Sequence, residues 1–261
     1  MRVTFLTQED PLYILPFFDS YFALDLEPIE VTGIFACRSM GNRRRSKLLG
    51  ELLSLYGPAG FSKLLCLQLR ERLLANTGFG RMTRTHHSIK DVATRNRIPY
   101  FRIENPNRPE NVKRISGHRP DVLVSVACPF ILKVALLNLP TQAALNIHHA
   151  PLPRYKGMMP TFWQMFHGEN SVGLTIHTMA EKLDEGNILY QSSIAINSGE
   201  SMHELIRRSK RQGARAMQQL LRQFAEGSAP SPLVAAQEPS YFTFPTPDQM
   251  RIFRKRGLRA I

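Results

Sequence analysis

The longest apolar stretch of the chain, VLVSVACPFILKVALLNL at 122–139, constrains the fold more than any other feature. It approaches the length of a membrane-spanning helix, but Pro129 divides it and Lys133 lies inside it. The half before Pro129 is rich in β-branched residues, whereas the other half has the composition of a helix. Strands of parallel sheets are covered on both faces and are therefore continuously hydrophobic. The stretch thus predicts a buried strand followed by a helix, and not a membrane span.

Segments typical of strands and of helices alternate along the first 150 residues. Strands are predicted at 2–7, 30–38, 100–103, 121–127 and 143–149. Helices are predicted within 11–22, 43–57, 61–75, 88–99, 109–120 and 129–140. Because strand–helix–strand units form right-handed crossovers, this order predicts an α/β fold with a mostly parallel twisted sheet and helices on both faces. Ligands of such sheets bind outside the carboxyl ends of the strands.

The pattern changes after residue 170. The segments 171–179 and 188–197 alternate between apolar and polar residues and predict an antiparallel pair. Ser201 and Glu204 have the spacing of a capping box, which predicts a long helix to about residue 225. GSAPSP at 227–232 has the composition of a linker. We therefore expect a main domain, which would carry any catalytic site, at 1–226, and a linker with a basic, partly helical and partly extended C-terminal tail at 227–261.

The net charge indicates the class of partner, and the cysteine content indicates the redox compartment. The net charge of +13 favours an anionic partner such as RNA, a nucleotide or a phosphorylated substrate. Cys37, Cys66 and Cys128 lie far apart without a CxxC pair, which suggests neither a zinc site nor a disulfide framework. The opening MRVTFLTQEDP lacks the apolar core of a signal peptide. We therefore expect a protein of the reducing cytoplasm that contacts no membrane.

The segment NIHHAPLPRYKG at 146–157 concentrates polar side chains at the carboxyl end of a predicted strand. Asn146 and His148 are two residues apart, so an extended strand points both side chains to one face. An amide and an imidazole that converge can donate hydrogen bonds to an oxyanion. The alternative is that they cap the following loop. Asp184 becomes relevant if it lies near His148, because a carboxylate there would orient the ring and accept protons.

The ordered set of motifs resembles a known enzyme family. N-x-H-x-x-x-L-P-R-Y-K-G is followed by Pro160, by G-x-T-I-H at 173–177 and by L-D-x-G at 183–186. This series resembles the N10-formyltetrahydrofolate-dependent formyltransferases over roughly residues 80–195. That family includes enzymes that act on methionyl-tRNA, on glycinamide ribonucleotide and on sugar amines. The resemblance implies the formyltransferase variant of the Rossmann-like fold, and a formyl group carried from N10-formyltetrahydrofolate to a primary amine without a metal ion.

The resemblance also implies roles for individual residues. The catalytic residues correspond to Asn146, His148 and Asp184. Further residues are implied in folate binding: Ser125, Val126, Ala127, Cys128, Pro129, Leu152, Pro153 and Leu183. We expect structural roles for His149, which should point away from His148 on the strand, and for His177. For His149, contact with the substrate is the alternative.

The sequence constrains the identity of the acceptor amine less than that of the formyl donor. Two basic segments are candidates for acceptor binding, with Arg43, Arg44 and Arg45 in the first and Arg154, Tyr155 and Lys156 in the second. The tail from 227 is shorter than the C-terminal barrel of the tRNA enzymes, and TQEDPLY at 7–13 lacks the Gly-Ser-rich phosphate loop of the glycinamide ribonucleotide enzymes. We therefore expect a small anionic acceptor such as a nucleotide-linked amino sugar.

Other functions stay open at this stage. Methionyl-tRNA formyltransferase activity is the alternative acceptor assignment. A hydrolase that releases formate from the same folate is an alternative reaction. A non-catalytic RNA-binding protein on the same fold is an alternative of another class. The oligomeric state is also open, a dimer included.

Overall fold

The computed structural model describes residues 1–37, 45–77, 85–234 and 237–261, with the backbone alone at 45–48. Within these ranges, strands of the main sheet are β1 Arg2–Gln8, β2 Glu30–Cys37, β3 Tyr100–Ile103, β4 Val122–Val126, β5 Ala143–His148, β7 Ser171–Thr178 and β8 Ile188–Ala195. Their order is β3-β2-β1-β4-β5-β7-β8. The pairs from β3 to β5 are parallel, and β7 pairs antiparallel with both β5 and β8. The predicted mostly parallel sheet is confirmed.

Helices cover both faces of this sheet. They are α1 Leu15–Phe22, α2 Arg45–Asn76, α3 Ile89–Arg95, α4 Pro109–Gly117, α5 Val134–Leu137, α6 Pro160–Phe166, α7 Met202–Ala225 and α8 Pro247–Lys255. The backbone of α2 leaves the helical conformation at Gly57, which has a φ of 67° and precedes Pro58. The sequence predicts a stop there, because glycine adopts positive φ readily and proline cannot continue the preceding helix. Ser201 and Glu204 form the predicted capping box of α7.

The helix predicted within 129–140 is wrong over its first half. α5 begins only at Val134, and Lys133 before it is extended, with φ −88° and ψ 164°. Pro129 donates no backbone hydrogen bond, and the side chain of Asn107 binds the segment instead. Its amide nitrogen donates to the Ile131 carbonyl at 2.9 Å, and its oxygen accepts from the Lys133 backbone at 2.8 Å. Contacts from Asn107, in another loop, thus keep residues 129–133 out of the helical conformation.

Alternate residues of β1 enter two separate cores. Phe5 packs with Phe17 and Tyr21 of α1 in the larger core, which also buries most of the apolar face of α7. Leu6 points to the other face and packs with Leu123 and neighbouring residues in the smaller core. Burial on both faces explains why the central strands are continuously hydrophobic. No helix among the described residues has both the length and the apolar composition needed to cross a bilayer.

The C-terminal tail lies against the rest of the chain. Two short parallel strands, β6 Lys156–Gly157 and β9 Tyr241–Phe242, pair with each other. α8 contacts α2, and its Phe253 stacks on Phe162 with ring centroids 4.8 Å apart. The tail therefore supports the loop after β5, because β6 is part of that loop.

Candidate active site

Asn146 and His148 end β5, as the sequence predicts, and β7 supplies the residue that faces them. The antiparallel register places His177 of β7 directly opposite Asn146. Asn146 donates from Nδ2 to Nε2 of His177 at 3.1 Å. From the sequence, we expect a structural role for His177 but do not predict its contact with Asn146. Strand alternation puts both side chains on one face of the sheet, but only the pairing register brings them together.

His177 is a neutral hydrogen-bond acceptor in this contact. Its Nδ1 donates to the Thr178 carbonyl at 2.8 Å, which leaves the lone pair on Nε2. Burial, followed by the nearby charge of His148, lowers the pKa of His177 to about 4. The amide group of Asn146 has two N–H donors. One is given to His177, so the amide is oriented and its second donor is available.

Asp184 lies between the two imidazoles. Its Oδ2 is 3.7 Å from Nδ1 of His148, and its Oδ1 is 3.7 Å from Nε2 of His177. The backbone N–H of Gly157 donates to Oδ2 at 2.9 Å. The turn itself requires Gly186, because a Cβ at this position would collide with the backbone of Thr178. The L-D-x-G motif therefore brings one buried carboxylate within charge–charge range of both rings.

His148 is held by the loop that follows its own strand. Its Nε2 donates to the Tyr155 carbonyl at 2.9 Å, which places the proton of the neutral ring on Nε2. Nδ1 then faces Asp184 and is the nitrogen that can take up a further proton. The distance to Asp184 is longer than a hydrogen bond but suits an ion pair with the protonated ring. We refer to Asn146, His148, His177 and Asp184 together as the β5–β7 cluster.

The β5–β7 cluster lines a cavity of about 260 Å³ at the carboxyl ends of β4 and β5. Residues predicted to bind folate that line this cavity are Ser125, Ala127, Cys128 and Leu183. Pro129 lines a neighbouring cavity, whereas Val126 is fully buried in β4. Leu152 and Pro153 line a separate surface depression that Asp184 also lines, and their role in folate binding stays a prediction. The cavity itself lies where ligands of open α/β sheets bind.

Of the residues predicted to bind the acceptor, those that the structure describes are not among the residues that line the first cavity. Arg43 and Arg44 lie outside the described residues, and so does the side chain of Arg45, with which α2 begins. Arg154 pairs with the carboxylate of Glu169, which also accepts a hydrogen bond from the Tyr155 hydroxyl at 2.7 Å. Lys156 is 3.4 Å from Glu185. Arg154, Tyr155 and Lys156 therefore stabilise the loop after β5, and their role in acceptor binding stays a prediction.

A second cavity, of about 760 Å³, adjoins the first and is largely apolar. His149 and Lys210 line both cavities, and we refer to this pair as the α7 floor. Lys210 is a site residue that the sequence predictions missed. Its position could have identified it, because it lies four residues from both Ile206 and Ala214, on the buried face of an amphipathic helix.

Two cysteines that are far apart in sequence also meet at this edge. The sulfur atoms of Cys37, which ends β2, and Cys128 are 3.7 Å apart, and both thiols are free. Among the described residues, no group of three or more His, Cys, Asp or Glu side chains is arranged to hold a metal ion. The polar side chains that line the first cavity include an amide, imidazoles, a carboxylate, the hydroxyl of Ser125 and the ammonium of Lys210.

More than half of the chain matches a known protein family. Residues 75–221, more than half of the chain, match the family model described as formyl transferase. Methionyl-tRNA formyltransferase from Citrifermentans bemidjiense is 34% identical over 139 residues, which cover 53% of this chain and 44% of that protein. The chain spans about half the length of the methionyl-tRNA formyltransferases that it matches.

Solved structures share the fold at low sequence identity. A sugar N-formyltransferase from Shewanella sp. FDAARGOS_354 has a TM-score of 0.58 at 17% identity, covering 93% of this chain and 76% of that one. Glycinamide ribonucleotide transformylase 1 from Symbiobacterium toebii has a TM-score of 0.58 at 17% identity, covering 87% of this chain and 88% of that one. The shared fold is thus common to proteins whose names specify different acceptors.

Proposed function

This chain belongs to the formyl transferase family, and we propose that it transfers a formyl group from N10-formyltetrahydrofolate to a primary amine. The observation that carries the proposal is the β5–β7 cluster, in which a half-buried amide, two buried imidazoles and a buried carboxylate line one cavity. A cluster of this kind can stabilise negative charge on one atom and accept a proton from another. Both tasks are needed when an amine attacks a formyl carbon.

The roles within the β5–β7 cluster follow from its hydrogen bonds. Asn146 offers its remaining N–H to the formyl oxygen, since His177 occupies the other. His148, protonated at Nδ1, adds a positive charge that stabilises the same oxygen as it becomes negative. Asp184 lies 3.7 Å from Nδ1 of that ring and accepts a proton from the attacking nitrogen. The bond between the formyl carbon and N10 then breaks, and N10 receives the proton, which gives the formamide and tetrahydrofolate.

The first cavity suits the pterin part of the donor. Its lining includes residues at the end of β4 and just after it, Ser125, Ala127 and Cys128, and residues of the segment 179–184. Backbone N–H and C=O groups can recognise the polar edge of a pterin, and Ile131 and Leu183 can cover its faces. This arrangement leaves the formyl group beside the β5–β7 cluster.

The acceptor we propose is a small anionic amine such as a nucleotide-linked amino sugar. The net charge of +13 supports an anionic acceptor, and a sugar N-formyltransferase is among the proteins that share the fold. Methionyl-tRNA is the second candidate, because methionyl-tRNA formyltransferases are the relatives that match at 34% and 31% identity. The free thiols are consistent with a reaction in the reducing cytoplasm.

The test is an amine screen with the purified protein. It is incubated with N10-formyltetrahydrofolate and a panel of nucleotide-linked amino sugars, other small amines and methionyl-tRNA, while release of tetrahydrofolate is followed. We expect release that depends on the added amine and yields the N-formyl product. Equal release without any amine would instead indicate a hydrolase. Absence of release and of folate binding would leave the non-catalytic RNA-binding alternative, which RNA-binding measurements can then address.

A further inference from the structure

We propose that Lys210 of α7 selects the acceptor by binding a carboxylate or phosphate carried by the same molecule as the amine. The inference rests on the proposed function and narrows it, because it names one residue and one chemical group of the acceptor. It concerns the α7 floor, which the transfer chemistry described above does not use.

Lys210 occupies the junction of the two cavities. Its side chain lines the cavity that contains the β5–β7 cluster and also the larger cavity of about 760 Å³. The residue is only 6% exposed, so its ammonium is shielded from bulk water. A molecule that places an amine beside Asp184 and extends into the larger cavity would occupy two spaces that Lys210 lines.

The ammonium of Lys210 has no hydrogen-bond acceptor and no ion pair within the part of the chain that the structure describes. Asp10 is the carboxylate whose charge acts on Lys210. One oxygen of Asp10 already accepts hydrogen bonds from the backbone of Leu12 and Tyr13, at 2.9 Å each. Buried charges in proteins are normally paired, because an unpaired one is costly. An oxyanion of a ligand would supply the missing partner.

His149 gives a second, independent indication of a ligand. Both of its ring nitrogens are buried and lack a hydrogen-bond partner among the described residues. Unpartnered buried polar atoms of this kind are rare in native proteins. Burial, and then the charge of Lys210, lowers the pKa of His149 well below its usual value, so the ring is neutral. Lys210 is therefore the cation of the α7 floor, and a bound oxyanion would meet one positive charge beside a neutral ring.

The residues that line the larger cavity indicate the chemistry of the rest of the acceptor molecule. Its other lining residues are mostly apolar and include Phe130, Ile131, Met158, Met159 and Phe162. Apolar walls with a few polar groups are typical of sites that orient a ligand by one or two contacts. The acceptor class is thus an amine on a carrier with an apolar surface and an oxyanion directed towards α7. A carboxylate and a phosphate share this chemistry, and matched probes separate them.

The test compares the wild-type protein with Lys210→Met and Lys210→Arg, and uses Lys113→Met on the exposed face of α4 as a matched control. Each protein is first saturated with 5-formyltetrahydrofolate and then titrated calorimetrically with two pairs of probes. L-methionine and L-methioninamide differ by a carboxylate. O-phosphoethanolamine and ethanolamine differ by a phosphate. Kinetic constants are measured for every probe that N10-formyltetrahydrofolate formylates.

We expect the wild-type protein to prefer the anionic member of one pair by about tenfold or more, because a charged hydrogen bond in a shielded site discriminates at that level. Lys210→Met should remove the preference and raise KM with kcat within about threefold, since the oxyanion contact is made in substrate and transition state alike. Lys210→Arg should retain part of the preference for the anionic probe, and Lys113→Met should retain all of it. The pair that shows the preference identifies carboxylate or phosphate.

The outcomes separate the two proposals. If 5-formyltetrahydrofolate binds but Lys210→Met treats both members of each pair as the wild type does, the assignment of Lys210 is wrong and the formyl transfer proposal stands. The same holds if the folate-saturated wild type binds neither anionic probe. If 5-formyltetrahydrofolate does not bind at all, the proposed function fails, and the inference that rests on it fails as well.

Discussion

The β5–β7 cluster and the α7 floor both line the same cavity, yet the hydrogen-bonding groups of their side chains are satisfied to different degrees. The side chain of Asn146 donates a hydrogen bond to His177, and that of His148 donates one to the Tyr155 carbonyl. His149, the residue next to His148, has two ring nitrogens without a partner. Two adjacent imidazoles, one at the end of β5 and one directly after it, therefore have opposite surroundings. The comparison separates groups that the protein has already oriented from groups that require a ligand.

This difference has a mechanistic meaning. Groups that stabilise a transition state are most effective when they are oriented before the substrate arrives, because no reorganisation is then needed. Groups that select a substrate gain most when the bound molecule supplies the partner they lack, because the wrong molecule leaves a buried charge unpaired. We therefore expect changes in the β5–β7 cluster to act mainly on kcat and changes in the α7 floor mainly on acceptor KM.

The largest effect should come from His148→Ala. The substitution removes the positive charge beside the formyl oxygen and should lower kcat by about 10²–10³. The affinity for 5-formyltetrahydrofolate should stay within a few-fold of wild type, which calorimetry measures. His86→Ala, a partly exposed histidine paired with Asp19, is the matched control. Turnover of the His148 variant within a few-fold of wild type would show that His148 has no catalytic role.

Asp184→Asn isolates the charge of the carboxylate from its shape. An amide oxygen can still accept the hydrogen bond of the Gly157 backbone, so the turn should persist. Loss of the negative charge removes the ion pair with protonated His148 and the proton acceptor, and kcat should fall by about 10². Rate measurements across pH provide the check. A variant that keeps wild-type turnover while the loop is intact would place the proton acceptor elsewhere.

A smaller effect is expected at His177, which orients Asn146 without touching the formyl group. His177→Phe removes the acceptor for the Asn146 amide and should lower kcat roughly tenfold, the worth of about one hydrogen bond. His177→Gln keeps a side-chain acceptor and should restore part of the rate. If both variants have the same rate, the hydrogen bond to Asn146 does not contribute to catalysis.

The smallest effect concerns the stability of the α7 floor without ligand. Burial lowers the pKa of Lys210 to about 8, although the charge of Asp10 acts in the opposite direction. The unfolded chain therefore binds the extra proton between about pH 8 and 10.5, so wild-type stability should rise with pH across that window. Lys210→Met should lack this rise and, at pH 7, be more stable by on the order of 2 kcal/mol. Urea unfolding at pH 7, 8 and 9.5 measures both.

That last experiment also tests the comparison directly. If Lys210→Met is less stable than wild type at every pH, Lys210 is a satisfied structural residue and the α7 floor resembles the β5–β7 cluster. If it is more stable, the wild-type chain carries an unfavourable buried cation that a ligand can use.

Much of the fold follows from local sequence. The β-branched run before Pro129 forms the buried strand β4, and Gly57 with Pro58 interrupts α2 where the sequence predicts a stop. Ser201 and Glu204 cap α7 as their spacing requires. The helix predicted within 129–140 failed because its first half is held by Asn107, more than twenty residues away in the chain. Local propensity could not include that contact.

The sequence alone determined the central strands, the placement of Asn146 and His148 on one face, and the family resemblance that assigned Asp184 to the site. These depend on backbone periodicity and on an ordered series of motifs, both of which are present in the linear chain. Only the tertiary structure decided that His177 meets Asn146, that Cys37 approaches Cys128, and that Lys210 reaches the junction of two cavities. Such contacts join distant residues, so they depend on strand register and on the packing of α7, which local sequence spacing does not specify.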